Sequence, residues 1–581
     1  MKRKLSLLLA FLLLISTLAA CGEGPAPVDK NEADVSQGDG KTDDKSQGSQ
    51  EPQGKEESQG QGEEEPQGNQ DGVMDICMAS EPKSIDPAIN TSVDGAVLIQ
   101  HAFEGLIKWV NDGTGKAKNA PGMAESWDVS EDKLTWTFHL RDAKWSDGVP
   151  VKAQDFEFAW RRLVDKSTGA DYEYMLDMVK GYGDSNGKSL DISCPDDKTF
   201  VVKLDHLCPY FEEICAFPAT FPVRKDIIEA NGDKWTQSTE TYVSNGAYKI
   251  QEWVHNDHIS FVKSESYYDP SLVLAEKLNF KLMDDHNAIY AAYQSGELDY
   301  IYESVPIDER IGLIKKGWLK VDPELGTYYV CFNNQVEPFD NPDVRKAFSL
   351  AIDRNRIVEK VTQSGQVPAS GFVPKAIYDA KGLSGDDFRT VGGDYYSVAD
   401  SDYEKNCEEA RELMKKAGFE GGKGFPVVEY LYNTSDSHKA IAEALQNMWQ
   451  EQLGVQVTLQ NVDWNVFLET RKKGDYTIAR HGWIADYNDP MTFLDMWIDG
   501  GGNNDAKYDN PEFDKLIAEA KTQTDVEKRM ELMHKAEDIL MKDAAIAPLY
   551  FYTQSYMLKP NIQGLYYTPL GYYFFYQTTG F

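Results

Sequence analysis

Between residues 427 and 480 the apolar pattern changes period repeatedly, and this constrains the fold more than any other feature. Segments 427–432, 455–460 and 476–480 are short apolar runs of strand length. Segments 436–452 and 464–472, between them, carry apolar residues at helical spacing. Parallel strands need a crossover, and a helix of this length supplies one, so the stretch predicts an α/β lobe. A strand at 328–334 precedes it, followed by a helix beginning at 341–345 with Pro342 in its first turn. Two amphipathic helices follow it, 511–522 and 525–542, then a strand at 545–552. The aromatic end, 566–576, is expected to dock on a core.

The earlier half mixes the same elements in a different order. A strand at 73–78 leads to a helical apolar pattern at 95–109. A hairpin made of 135–141 and 144–148 precedes a helix at 153–164. Strands are expected at 199–204, 258–262 and 277–283. From residue 73 onward the chain has roughly 510 residues, too many for one core, so two or three domains are expected.

The N-terminus reads as an address. Lys2-Arg3-Lys4 precedes an apolar run that is short for a bilayer span and ends in Leu18-Ala19-Ala20-Cys21. This is the pattern of a lipoprotein signal peptide, 1–20, with Cys21 as the lipidated mature N-terminus. Residues 22–72 contain no Ile, Leu, Met or aromatic residue and repeat Gln-Gly six times, with 14 acidic and 4 basic side chains. Such a composition cannot bury enough surface to fold, so 21–72 is expected to be a disordered tether, with a span of roughly 40 Å. The protein is expected at the cell membrane, lipid-anchored on the extracytoplasmic face.

The whole chain carries 59 basic and 95 acidic residues, a net charge of −36, of which −29 lies beyond residue 72. That balance argues against nucleic acid and anionic lipid as partners. Seven cysteines include no Cys-x-x-Cys pair, so no metal site is expected; Cys208 and Cys215 are either a short bridge or free thiols. No nucleophile elbow, zinc-protease, P-loop or dinucleotide motif occurs. His255-x-x-His258 falls in an expected hairpin and makes a poor metal site. A secreted hydrolase using paired carboxylates remains the alternative class, although no particular pair stands out.

One acidic residue stands out by position. In Ala479-Arg480-His481-Gly482-Trp483-Ile484-Ala485-Asp486-Tyr487-Asn488-Asp489-Pro490 a short buried strand at 475–479 runs toward a turn, and Asp486 lies where the apolar stretch ends. On the residues alone it reads as a solvated loop aspartate.

Five further motifs change that reading. Phe103-Glu104-Gly105-Leu106, Ala124-Glu125-Ser126-Trp127, Phe138-His139-Leu140-Arg141, Trp145-Ser146-Asp147-Gly148 and Asn433-Thr434-Ser435-Asp436-Ser437-His438-Lys439 occur in order. With Gly482 to Asp486 they resemble the oligopeptide-binding proteins of ABC importers, extracellular solute-binding family 5. The resemblance covers 73–581. It implies a two-lobed α/β fold of the type II periplasmic-binding-protein kind (a Venus flytrap) with an additional inserted domain. Lobe I would comprise 73–103, 224–324 and 554–581, the inserted domain II 104–223, and lobe III 325–553. It implies a monomer without a cofactor that is not an enzyme. Such a protein captures short peptides between its lobes and delivers them to the membrane permease subunits of an ABC transporter.

Residue roles follow from the same resemblance. Asp486 would take the peptide ammonium. The backbone of Arg480 to Ile484, through Gly482 and Ile484, would pair with the peptide by strand addition. Arg471, Arg480 and His438 would meet the peptide carboxylate at different lengths. Val93, Tyr172, Trp464 and Tyr552 would line the peptide and its side-chain pockets, and Asp436 would cap the helix carrying His438. Two positions depart from the pattern. Thr91 stands where well-known members have Glu, and Thr362 where they have Lys, so a pentapeptide is expected to lack a cation there unless Lys375 or Lys439 replaces it. Dipeptide, nickel, haem or other small-ligand specificity is the alternative within the family.

Overall fold

Two thirteen-residue strands, Lys320–Phe332 and Ile546–Leu558, form the spine of the protein. The computed structural model describes residues 65–581. The signal peptide, Cys21 and most of the expected tether lie outside the described residues. The last tether residues are described: the Tyr293 hydroxyl donates to Glu65, and the Gly68 amide donates to Asn561 Oδ1 at 2.8 Å.

The spine strands pair antiparallel within an eleven-stranded sheet. On one side follow Ile478–Ile484, Val428–Asn433 and Val457–Val462. On the other follow Tyr300–Tyr302, Met74–Met78, Lys277–Leu282, His258–Lys263 and Tyr248–Val254. Strands from the segment expected as lobe III thus lie to one side, and strands from the lobe I segments to the other. A separate four-stranded sheet, with Ala124–Val129, Thr135–Leu140, Thr199–Lys203 and Ile192–Asp196, lies within 104–223 beside the helix Ala153–Val164. The fold is the expected two-lobed α/β architecture with an inserted domain.

Period-two alternation explains why the spine is buried on both faces. Tyr328, Val330 and Phe332 enter a core with Phe339, Phe348, Tyr430 and Trp449, whereas Tyr329 and Cys331 enter the core containing Phe372 and Trp497. The crossovers behave as the sequence predicts. Helix Asp436–Leu453 buries Ile441, Ala442, Leu445, Met448, Trp449 and Leu453 along one stripe. Strand Val428–Asn433 pairs parallel with Val457–Val462 and briefly with Ile478–Ile484.

Several local expectations are corrected. The helix expected at 95–109 is Val93–Ala102; Phe103 is extended (φ −120°, ψ 162°), and Ile107–Asn111 is a strand. Strand Thr135–Leu140 pairs with Ala124–Val129 and Thr199–Lys203, not with 144–148, which form a turn closed by the Trp145 amide on Val149 O at 2.8 Å. The strand expected at 475–479 runs from Ile478 to Ile484, so Asp486 follows its end by two residues. Ser435, not Asp436, caps the helix bearing His438. All six described cysteines, Cys208 and Cys215 among them, are free thiols. His255 and His258 flank the turn of the expected hairpin, each on carboxylates. No His, Cys, Asp and Glu grouping suited to a metal occurs among the described residues, and none of their helices is long and apolar enough to cross a membrane.

Candidate functional site

A cavity of about 420 Å³ lies between the lobes, within the range of about 300–1,000 Å³ common to small-ligand sites. Much of its lobe III wall is built at the carboxyl ends of strands Val428–Asn433, Val457–Val462 and Ile478–Ile484, where α/β sheets open to ligands. Asn433, Ser435 and His438 come from the first of these ends and Trp464 from the second. The third gives Arg480 to Asp486. The segments expected as lobe I contribute Val93, Glu303, Arg310 and Glu324, and the segment expected as the inserted domain contributes Tyr172 and Phe217.

One edge of strand Ile478–Ile484 is open. Lys320–Phe332 covers the other edge along its whole length, from Gly326 opposite Ile484 to Phe332 opposite Ile478, but Val428–Asn433 reaches only Ile478 and Ala479. The Ala485 amide bonds to Leu325 O at 2.7 Å, so odd-numbered residues face that covering strand. In an antiparallel pair the alternate residues, Arg480, Gly482 and Ile484, turn their amides and carbonyls outward. Gly482 has a constraint of its own. A Cβ there would stand 2.2 Å from the Tyr552 hydroxyl, so glycine lets Tyr552 rest against the strand. Its amide donates to His481 Nδ1 at 2.8 Å while His481 Nε2 faces Asp505 at 3.2 Å. Burial holds His481 neutral, near pKa 4, which fits one accepting and one donating nitrogen. A ligand carbonyl at Gly482 therefore competes with His481, whereas Ile484 faces the cavity without that competitor.

Charged ends flank this edge. Asp486 is 7% exposed. Its carboxylate meets the hydroxyls of Tyr172 at 3.3 Å and Thr492 at 3.4 Å, with no cation in ion-pair range among the described residues. Burial, then the charge of Asp495, pushes its pKa well above the carboxylate range. At the other end Arg480 is buried, donates Nε to Asn433 Oδ1 at 2.7 Å and stands over the Trp464 and Phe467 rings at 5.2 and 5.0 Å. No carboxylate pairs with it among the described residues, and burial lowers its pKa. The two residues lie six apart, roughly 20 Å in an extended chain.

The other expected residues divide. Val93, Tyr172, Trp464 and Tyr552 all line the cavity, and the Trp464 indole nitrogen is buried without a partner. Arg471 also lines it, but Asp505 already holds its Nε at 2.6 Å. His438 Nδ1 lies 3.3 Å from the Tyr328 hydroxyl in a shared hydrogen bond, and burial, followed by Arg480, holds its pKa well below the usual histidine value. It can meet an anion as a neutral donor. Lys375 and Lys439 are exposed and do not line the cavity.

The cation near position 362 is one that sequence reasoning missed. Arg310 donates to the Thr362 carbonyl at 2.6 Å, to Ser364 Oγ at 3.1 Å and to Ser437 Oγ at 3.0 Å, bridging lobe I to lobe III. Thr362 is 2% exposed, its hydroxyl 2.9 Å from Gln366 Oε1. The available signal was a lone arginine three residues before Leu313, on the buried stripe of helix Ile307–Lys316. Glu303 and Glu324 gave no comparable signal.

Further contacts close the cleft. Lys83 pairs with Glu469, Lys472 with Asp171 and Lys521 with Asp177. Tyr210 stacks on Tyr487 at 4.0 Å, and Asn503 bonds to the Tyr174 hydroxyl at 3.1 Å.

An acid and buried cations at opposite ends of an unpaired strand edge, enclosed by two lobes, define a solute-binding protein. Residues 118–505 match the family model described as bacterial extracellular solute-binding proteins, family 5 Middle. The chain is 36% identical over 577 residues to Oligopeptide-binding protein OppA of Bacillus subtilis (strain 168), covering 97% of each chain. The structure of Haemophilus influenzae OppA in complex with RPPGFSPFR aligns with a TM-score of 0.81 at 34% identity, over 88% of this chain and 99% of that one. The chain therefore belongs to solute-binding family 5. Escherichia coli murein tripeptide-binding protein MppA, at 32% identity, aligns at 0.78 over 89% of this chain and 99% of that one. Its unliganded open form, at 32% identity, reaches 0.58 over 88% and 98%. At near-equal coverage the chain superposes less well on that open form.

Proposed function

We propose that this protein captures short peptides from outside the cell by their backbone and termini and delivers them to the permease of an ABC transporter. The observation that carries this reading is the unpaired edge of Arg480 to Ile484, with an uncompensated buried acid at one end and buried cations at the other. Strand addition satisfies an extended backbone whatever its side chains. Asp486 takes the ammonium. Arg480 takes the carboxylate of shorter peptides, aided by Arg471 and by His438 as a neutral donor. Ser435 and His438 sit at the N-terminus of helix Asp436–Leu453, whose dipole adds attraction for an anion. Val93, Tyr172, Trp464 and Tyr552 line the side-chain space. The site is longer than a dipeptide, which favours oligopeptides over the dipeptide branch.

The segment boundaries 73–103, 224–324 and 554–581 for lobe I, 104–223 for the inserted domain and 325–553 for lobe III belong to the same proposal. So do the lipid anchor on Cys21, a tether that ends where Glu65 and Gly68 are held on Tyr293 and Asn561 rather than at residue 72, the monomeric state and the absence of catalysis. Calorimetry with unmodified alanine peptides of two to eight residues tests the reading. Binding should appear at three residues or more, with the peptide recovered intact. Absence of binding across the series refutes peptide capture, and cleaved product refutes a pure binding role.

A further inference from the structure

We propose that Glu303 and Glu324 form a subsite on the lobe I wall for a cationic side chain, lysine or arginine, of the bound peptide. This rests on the peptide-binding reading and adds a preference to it.

Glu324 is 4% exposed and lines the cavity. One carboxyl oxygen receives the Tyr302 hydroxyl at 3.2 Å and the Gln554 amide at 3.5 Å; the other, Oε2, is buried without a partner. A buried oxygen left without a donor is costly, and a ligand donor satisfies it. Its position suits a peptide side chain. A Cβ built on Gly571 would lie 3.2 Å from Glu324 Oε1, 3.5 Å from Val93 Cγ1 and 3.6 Å from Ile484 Cδ1. The carboxyl group therefore stands near both residues expected to flank the peptide.

Glu303 has a φ of 51°, a left-handed conformation unusual for a residue other than glycine, and its amide is fixed on Ser555 O at 2.8 Å. Strain of this kind persists where the surroundings impose it, often at binding sites. Its side chain makes no hydrogen bond or ion pair among the described residues and lines the same cavity. The cations that act on it, Arg310 and Arg480, are engaged elsewhere, on the Thr362 carbonyl and on Asn433. Asp94 adds a further negative charge to this wall.

The electrostatics agree with the geometry. Burial, then Glu303, raises Glu324 to about 8; burial, against the pull of Arg310 and Arg480 and with the push of Asp94, raises Glu303 to about 7. The remaining groups around the pair are the hydroxyls of Tyr300, Tyr302, Tyr550, Tyr552 and Tyr573. An ammonium or guanidinium placed here donates to the orphaned oxygen and relieves the repulsion between the two acids.

The test is calorimetry at pH 7.5 with trialanine and with six analogues bearing lysine or norleucine, its uncharged isostere, at each position. At one position lysine should bind at least tenfold tighter than norleucine. That ratio should fall toward one in Glu324→Gln and in Glu303→Gln, each checked for a native melting transition. Should either variant fail to fold, the wild-type ratio decides alone. Equal binding of lysine and norleucine at all three positions, with trialanine bound, overturns the subsite and leaves peptide capture standing. A lysine preference that survives both substitutions also overturns it. Failure to bind any of the seven peptides refutes capture, and the subsite with it.

Discussion

Asp486→Asn removes one charge and nearly no volume. With the cleft closed, as it stands here, the carboxyl group is buried, has no cation in ion-pair range among the described residues, and is pushed up by desolvation and by Asp495. Its substitution should therefore leave the melting temperature unchanged or raise it, because an unpaired buried acid disfavours the fold. With peptide bound the balance inverts. Removing one partner of a buried ion pair costs about 3–5 kcal/mol. Part of the wild-type interaction is spent in ionising the raised carboxyl, so we take the lower end, about 3 kcal/mol, or roughly a hundredfold in Kd. The assay is a calorimetric cycle with trialanine and N-acetyl-trialanine on both proteins. Acetylation should weaken the wild type by a similar factor, and the variant should lose little more on acetylation, since both changes delete one interaction. Trialanine binding within threefold of wild type would refute the assignment. An equal drop for the acetylated peptide would show instead that the substitution damages the site generally.

The remaining predictions use other parts of the cavity. Glu324 has an ordinary value of 4.5 raised to about 8, so between those values the folded chain holds a proton that the unfolded chain has released. Stability is thus lost as pH rises toward 8, by at most about 1.4 kcal/mol per pH unit per group. Above pH 7 the buried histidines are neutral in both states, so the ligand-free melting temperature should fall from pH 7 to 8, and less steeply in Glu324→Gln; a rise would contradict the assigned burial. Saturating peptide should shrink the radius of gyration in small-angle scattering as the lobes close, and superimposable curves would exclude hinge closure. Thr362→Lys, which the sequence alone suggested as a gain for pentapeptides, now places a second cation beside Arg310. It should lower the melting temperature without improving pentaalanine binding, and improved binding would show that Arg310 does not serve that position.

The sequence made the lobe III wall legible because its residues sit in short motifs at the ends of strongly periodic elements. Asp486, Arg480 and His438 all reach the cavity, and the α/β alternation from 427 to 480 became three strands and two helices. Boundaries failed where tertiary pairing overrode local pattern. The apolar stripe of the first helix continues past Ala102 in sequence, yet Phe103 turns into extended backbone so that Ile107–Asn111 can pair with Ala117–Pro121. Ser435 and Asp436 are both capable caps, and only geometry chose the serine. The lobe I side of the site was not legible. Arg310, Glu303 and Glu324 look like ordinary surface charges until remote segments bury them, as Thr362 and Ser437 do for Arg310.

The pairing of Ile76 with Tyr300, and of Tyr300 with Leu558, joins residues more than 200 positions apart. The first strand of the described chain therefore cannot complete its sheet until almost the last residues exist. The run from Val428 to Ile484 needs no such wait, because its parallel strands and crossover helices are contiguous in sequence, although its edge against Lys320–Phe332 and that strand's pairing with Ile546–Leu558 again join distant residues. During folding this should give a fixed order of events, since contacts of long sequence separation form slowly. The contiguous strand–helix run from Val428 to Ile484 should consolidate first, while Met74–Met78 and the aromatic cluster of Tyr566, Tyr573 and Phe575 wait for each other. In that interval unpaired strand edges and aromatic surface are exposed, making this the period of greatest exposure to aggregation and proteolysis.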